Sequence, residues 1–417
     1  MAIRENRGMK ESKLVMASDL KAAYPAVRQV VHHTPVFGSV SLTERCGMAP
    51  GDLALKMENL QRTGSFKIRG AYARLLALTE AERKRGVVAA SAGNHAQGVA
   101  LAARLVGIQA TVFMPEFASI AKIQATRRYG ADVVLEGHDF DEAVAAGKAR
   151  ATETGAPFIS AYDDDGIITG QGTLGLEILE DVPDVETVLI PVGGGGLFSG
   201  VATAIRAARP KARIVGVQAS GAPTAVRSWQ AGELLPPGPV RTIADGIAIK
   251  SPSPRTFAYI EKYADDMVLV DDQQIAAAML LLLERAKTVV EPAGAVGVAA
   301  LMAGRAEARG KTVAIISGGN VDAKFLADLI EREMIRADRY MHFFSAVPDR
   351  PGGLAALLDL IAECKGNIIT VVHNRISPSV PLGQTGVEIL LEVRDAEHID
   401  QIRSALTERG YRVEMRD

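Results

Sequence analysis

Cysteine is almost missing from this chain of 417 residues, which holds only Cys46 and Cys364. Two cysteines so far apart make neither a disulfide framework nor a CxxC metal site, and a reducing cytoplasm is their natural setting. Neither sign of charge dominates: 47 Lys and Arg stand against 49 Asp and Glu, interspersed, for a formal charge of −2. That balance excludes the basic stripe of a nucleic-acid binder. Long apolar runs are also lacking. The longest, such as Ile275 to Leu283, fall far short of the roughly 20 residues needed to cross a bilayer, so no membrane role is expected. The opening MAIRENRGMKESKLVMASDL has no apolar h-region of a signal peptide. The 40 glycines and 19 prolines form no low-complexity run, and no internal repeat is visible.

What remains is ordinary globular composition, 48% hydrophobic and 23% charged, long enough for two or three domains. From about residue 17 to 335, short β-branched runs alternate with alanine-rich segments of helical spacing. Strands are expected at 86–91, 110–114, 132–135, 187–192, 213–217 and 312–317, with helices at 96–105, 120–129, 140–153, 198–208 and 275–289. Continuous apolar strands linked by helices imply an α/β architecture of parallel sheets flanked by helices. The last stretch differs. Strands at 341–347, 367–376, 387–393 and 411–415 and helices at 354–364 and 397–408 give the order βαββαβ, a ferredoxin-like unit. The expected division is a domain of residues 1–335 and a second of 340–417, joined by the charged segment 331–339.

Four elements carry chemistry. Lys67, between Phe66 and Ile68, becomes an amine nucleophile if it is desolvated; a solvated lysine is the plain alternative. Ser91-Ala-Gly-Asn-His-Ala-Gln97 lies where a strand gives way to a helix, and helix N-terminal amides bind anions such as a carboxylate; an ordinary capped turn reads the same way. Gly193, Gly194, Gly195, Gly196 and Leu197 follow a strand and precede a helix. Four glycines let backbone amides close around a phosphate, although neither a G-x-G-x-x-G nor a Walker lysine is present. Ser317-Gly-Gly-Asn320 ends a strand at the carboxyl edge, where α/β folds place their ligands.

A Schiff-base lysine, a phosphate cradle and a hydroxyl partner together are what pyridoxal 5'-phosphate (PLP) requires. Six motifs occur in one order: Ser65-Phe-Lys-Ile-Arg-Gly-Ala71, Ser91-Ala-Gly-Asn-His-Ala-Gln97, Gly193-Gly-Gly-Gly-Leu197, Thr242-Ile-Ala-Asp-Gly246, Glu291-Pro-Ala-Gly-Ala295 and Ser317-Gly-Gly-Asn320. Over residues 20 to 335 the chain thereby resembles the threonine dehydratases (threonine ammonia-lyases), fold-type II PLP enzymes. Its C-terminal unit, with Asp349-Arg-Pro-Gly352 after the first strand, is similar to a single ACT regulatory domain, as in the medium-length forms.

The resemblance implies that Lys67 holds PLP and later removes the Cα proton, and that Phe66 packs on the ring. Asn94 would contact the ring hydroxyl, Gly193 to Leu197 the phosphate, and Ser317 the pyridine nitrogen. Ser91, Gly93, Asn94 and His95 would hold the substrate carboxylate. A neutral serine at the pyridine nitrogen weakens the ring as an electron sink, which favours loss of a β-hydroxyl over transamination. The expected reaction converts L-threonine, and also L-serine, to the 2-oxo acid and ammonia. A serine or threo-3-hydroxyaspartate dehydratase of the same family is the alternative, and a non-catalytic amino-acid sensor a more distant one. Serine racemases carry a serine where this chain has Ala92, and a glutamate after the Gly-Val of one strand where it has Gln218; neither racemisation nor that metal site is expected. Asp163 to Asp165, Asp271 and Asp272 read as solvated acidic turns, with cation binding the alternative, and Tyr162 as a packed ring or a pocket wall. Family likeness further implies a homo-oligomer, dimer or tetramer, and an effector such as isoleucine or valine at the C-terminal unit, with His373, Asn374 and Arg375 as contacts.

Overall fold

The computed structural model describes residues 14–374 and 380–416. Arg375 lies outside them. In chain order the strands are β1 (Val36–Gly38), β2 (Leu53–Met57), β3 (Val87–Ala90), β4 (Ala110–Met114), β5 (Asp132–Leu135), β6 (Thr187–Pro191), β7 (Arg213–Ala219), β8 (Asp266–Val270), β9 (Thr312–Ile316), β10 (Tyr340–Pro348), β11 (Asn367–Asn374), β12 (Gln384–Glu392) and β13 (Glu414–Met415). Two compact units form, one up to Val321 and one from Asp322. The Ala323–Arg336 helix, assigned by sequence to the first domain, thus groups with the second.

The first unit holds two sheets. Six strands lie in the order β1-β2-β9-β6-β7-β8 and three in the order β3-β4-β5. All pairings are parallel except β1 on β2. Every residue of β3, β6 and β9 is buried, as expected for parallel strands covered on both faces. Strands β1, β2 and β8 were not foreseen. β1 has three residues, β2 carries Lys56 within its apolar run, and β8 opens on an aspartate. The helix expected at 275–289 runs Asp272–Leu281 and loosens into a π turn at Leu282–Ala286. It stops where Lys287 adopts a left-handed φ of 54°.

The second unit is an antiparallel sheet ordered β11-β12-β10-β13 with helices Gly353–Glu363 and Ala396–Glu408. This is the ferredoxin-like βαββαβ order, with its last strand cut to Glu414–Met415. β10 alternates between half-buried and buried side chains, and Met341, Phe343 and Val347 join Leu357, Ile361, Ile402 and Leu406 in its core. Among the described residues no helix is long and apolar enough to cross a membrane.

Lys56 and Arg69 are fully buried in the first unit, and both are answered by carboxylates. Arg69 makes two forked contacts, to Glu58 at 2.7 and 2.8 Å and to Glu177 at 2.8 Å through each nitrogen. Lys56 reaches Glu177 at 3.1 Å and Asp181 at 2.8 Å, and also donates to the Thr34 carbonyl at 2.7 Å. Burial alone would push the Glu58 carboxyl up, but the Arg69 guanidinium outweighs it and holds Glu58 below its ordinary value. The cluster ties β2, the turn after it, the Lys67–Leu76 helix and the Asp165–Asp181 helix into one block.

Removing one partner strands a buried charge, a loss of about 3–5 kcal/mol. Glu177→Ala should lower the urea unfolding free energy of the first unit by that amount; a loss below about 1 kcal/mol would mean that the cluster is not tightly coupled.

Candidate active site

A cavity of about 350 Å³ opens at the carboxyl ends of the parallel strands. Its walls come from the segments just beyond β3 (Ser91 to His95), β6 (Gly193 to Leu197) and β9 (Ser317), together with Phe66 and Lys67. Sequence reasoning proposed all of these residues, and the fold brings them together around one space.

Lys67 begins its helix, and its amine lies 3.1 Å from the Ala161 carbonyl and 5.1 Å from the Phe66 ring centre. Burial pulls its pKa from 10.5 down to about 8, and the Glu291 carboxylate offsets part of that fall. Near physiological pH most of the amine is still protonated, but its neutral, nucleophilic fraction is far larger than that of a solvated lysine. The backbone beneath it is pinned from two directions. Phe66 N–H donates to the Ser317 carbonyl at 3.1 Å, and Ser65 bridges Gly318 across the chain. From the other side the Asn94–Val106 helix approaches so closely that a Cβ at Gly98 would meet the Lys67 carbonyl carbon at 3.1 Å.

Two helices aim their N-termini at the cavity. The first starts at Asn94 and the second, Gly196–Ala208, follows the glycine loop. The first amides of a helix lack intrahelical partners and attract anions. At the second helix, Gly195 has φ +91°, and a Cβ there would lie 2.8 Å from Thr256. A Cβ at Gly193 would meet Ile247 at 2.9 Å, and one at Gly194 would collide with the Tyr162 ring. The loop therefore has no room for side chains, and its backbone faces the cavity directly. Tyr162 both packs on this loop and lines the cavity.

Ser91 Oγ accepts from the Gly93 amide at 3.1 Å, which shapes the turn ahead of the first helix. Asn94 is engaged by protein partners: its amide donates to both Glu291 oxygens at 2.7 and 3.0 Å, and its carbonyl accepts from Asn320 at 2.7 Å. His95 is oriented away from a carboxylate-binding role. Its Nε2 lies 2.9 Å from the Ile159 carbonyl, which can only accept, so Nε2 carries the proton. Burial, with the Lys67 charge adding to it, drops the ring to a pKa of about 3. The neutral ring presents only a lone pair at Nδ1, which is buried without a partner. Any hold of His95 on an anion must come through its backbone amide. Ser317 is buried, and its hydroxyl has only a long contact, 3.5 Å, to the Ala293 carbonyl. It keeps a donor for a ring nitrogen.

Three charged lining residues received no role from the sequence: Glu291, Lys122 and Asp245. Burial lifts Glu291 to about 7, against the pull of its Asn94 hydrogen bond. Glu291, part of the Glu291–Ala295 motif, is the residue just before the Pro292–Met302 helix. Of the acidic turns expected to be solvated, Asp163, Asp165 and Asp271 are exposed, and all five aspartates also make protein contacts. Asp164 caps its helix and pairs with Arg74 at 2.7 Å, while Asp163 and Asp165 face Arg255. Asp271 caps the Asp272–Leu281 helix, and Asp272 accepts from Thr242. Gln218 uses its carbonyl to accept from the Val226 amide.

A half-buried amine of lowered pKa, a side-chain-free loop over a helix N-terminus and a buried hydroxyl are the parts that a fold-type II PLP site requires, and they fit that cofactor. The family model described as pyridoxal-phosphate dependent enzyme matches residues 27–318, and the chain belongs to that family. A protein named L-threonine ammonia-lyase from Thermotoga maritima is 48% identical over 401 residues, covering 96% of this chain and 99% of its own. Among solved structures, the processed form of threonine deaminase isoform 2 from Solanum lycopersicum is 35% identical with a TM-score of 0.71, covering 78% of this chain and 93% of its own. Maize serine racemase is 34% identical with a TM-score of 0.72, covering 78% and 99%.

The depressed lysine gives a pH signature. Covalent capture of added PLP by the apoprotein, followed by absorbance, should speed up about tenfold per pH unit and level off near pH 8; a rise continuing past pH 10 would mean a solvated amine. Because the Glu291 charge raises the Lys67 pKa, Glu291→Gln should move that plateau to lower pH.

Proposed function

We propose that the chain is an L-threonine ammonia-lyase, converting L-threonine to 2-oxobutanoate and ammonia and acting also on L-serine. The observation that carries this reading is the half-buried Lys67 amine, its pKa lowered to about 8, beside a loop that admits only backbone. The relatives named for threonine supply the substrate class.

When bound, PLP supplies an electron sink for negative charge at Cα. In this reading Lys67 anchors the cofactor and, once displaced, takes the Cα proton. Gly193 to Leu197 hold its phosphate with their amides, Phe66 covers one ring face, Asn94 meets the ring hydroxyl, and Ser317 donates to the ring nitrogen. The amides of Gly93, Asn94 and His95, with Ser91, orient the substrate carboxylate at the helix N-terminus. Glu291 positions Asn94 through its paired hydrogen bonds. With Ala92 opposite Lys67 in the family pattern, a methyl group offers no second base, and elimination of the β-hydroxyl is favoured over racemisation. An apolar pocket separates threonine from serine by only about 1–3 kcal/mol for one methyl, so both are substrates.

The unit from Asp322 onward is read as an ACT-type regulatory module that takes a small amino acid such as isoleucine or valine, in a homo-oligomer, dimer or tetramer, of the cytoplasm. His373 and Asn374 end β11, and the Asn374 carbonyl accepts from Thr385 at 3.2 Å. These are the described residues proposed to contact the effector.

Keto-acid formation from L-threonine, L-serine and threo-3-hydroxyaspartate should be led by threonine and fall about a thousandfold or more in Lys67→Ala. Activity led by hydroxyaspartate would reassign the substrate, and none from any of the three, with PLP bound, would sink the lyase reading. Titrating isoleucine or valine into the full-length enzyme should shift the half-saturating threonine concentration about 5- to 100-fold. No shift in kinetics or oligomeric state with either would remove the regulatory role.

A further inference from the structure

Four ionisable side chains able to carry charge near neutral pH line the cavity: Lys67, Glu291, Lys122 and Asp245. The first two belong to the machinery just described. The other two meet each other. Lys122 comes from the Ile120–Arg128 helix that follows β4, and Asp245 from the single turn Asp245–Ile247 on the opposite wall. Their contact, 2.8 Å from Nζ to Oδ2, spans the cavity between the two sheets of the first unit.

Asp245 sits on a braced loop. Thr242 donates to Asp272 at 2.5 Å, the Ile243 amide reaches the same carboxylate at 3.2 Å, and the Ala244 amide folds back on Thr242 at 3.1 Å. Next to it Gly246 packs so tightly that a Cβ would lie 2.9 Å from that of Ala293. The aspartate backbone is therefore held in place, while Lys122 is a flexible cation. Both charges are felt inside: Asp245 raises the Glu291 pKa and Lys122 lowers it.

We propose that Asp245 sets the charge selectivity of the site, occupying Lys122 so that amino acids bearing a carboxylate on Cβ are refused. This rests on reading the chain as a β-hydroxy amino acid ammonia-lyase. Once the α-carboxylate occupies the helix N-terminus at residues 93–95, a second carboxylate needs its own cation. Lys122 is the one lining cation outside the cofactor machinery among the described residues, and it is already neutralised. The incoming group would also face the Asp245 carboxylate, a like charge whose repulsion solvent softens because the aspartate side chain is 63% exposed. The hydrogen or methyl on Cβ of serine or threonine meets no such barrier. Replacing Asp245 by an uncharged isostere leaves Lys122 free and turns the same wall into a carboxylate receptor.

The test uses the full-length holoprotein in four forms: wild type, Asp245→Asn, Lys122→Met and the double variant. The ratio of kcat/KM for threo-3-hydroxyaspartate to that for L-threonine is read in each. Wild type should favour threonine by about a hundredfold. Asp245→Asn should raise the ratio about tenfold or more, and adding Lys122→Met should cancel the gain. Calorimetric binding of L-aspartate, which carries the second carboxylate but no β-hydroxyl, should tighten about tenfold in Asp245→Asn and weaken again in the double variant. An unchanged ratio and aspartate affinity in Asp245→Asn, a gain that survives loss of Lys122, or a wild type that already uses both substrates equally would overturn the proposal. If wild type yields no keto acid while aspartate binding still follows Lys122 and Asp245, the lyase reading fails and the charge filter stands.

Discussion

The poor solvation of one amine governs the catalytic unit. A lysine in solvent is protonated at neutral pH and does not attack a carbonyl; Lys67 is held near pKa 8 because nothing around it solvates charge well. Maintaining that state requires a rigid floor. The forked contacts of Arg69 to Glu58 and Glu177, two residues along the same helix, supply it. The polar cluster is thus placed one layer behind the reactive group, where it fixes geometry without hydrating the amine.

The remaining chemistry comes from backbone more than from side chains. Two helix N-termini and a loop stripped of side chains face the cavity, and each presents amides whose direction is set by the fold itself. Fixed dipoles of this kind need no reorganisation when an anion arrives, which is where preorganised sites gain their advantage. The consequence is crowding: Tyr162, Thr256 and Ile247 leave the glycine loop no alternative residue.

Much of this was legible in the sequence because it is written in local runs. β4 falls at the expected residues and β6 within one of them, since a short apolar run bounded by turn signals is consistent with a buried strand. β2 escaped notice because Lys56 interrupts it, and Lys56 is tolerable only through Glu177 and Asp181, more than a hundred residues away. Lys67, the glycine loop and Ser317 stood out as motifs. Asp245 and Glu291 lay within quoted motifs but received no role, and Lys122 lay in none, for a lone acid or base acquires meaning only from what the fold sets across from it. His95 was legible as a site residue, yet its ring turns toward the Ile159 carbonyl, a direction that no local pattern encodes.

The pairing of β2 with β9 joins Leu53 to Thr312, and the Ser65 to Gly318 bridge closes the same seam beside the reactive lysine. Contacts of such long sequence separation form late, after the intervening chain has given up its freedom. On a ribosome, the seam has to wait until residue 318 has emerged. Lys67 is made early, and its surroundings are complete only when the strand synthesised last in this unit arrives beside it. The cavity is therefore a property of the finished unit, and a nascent or prematurely ended chain carries Lys67 without the walls around it.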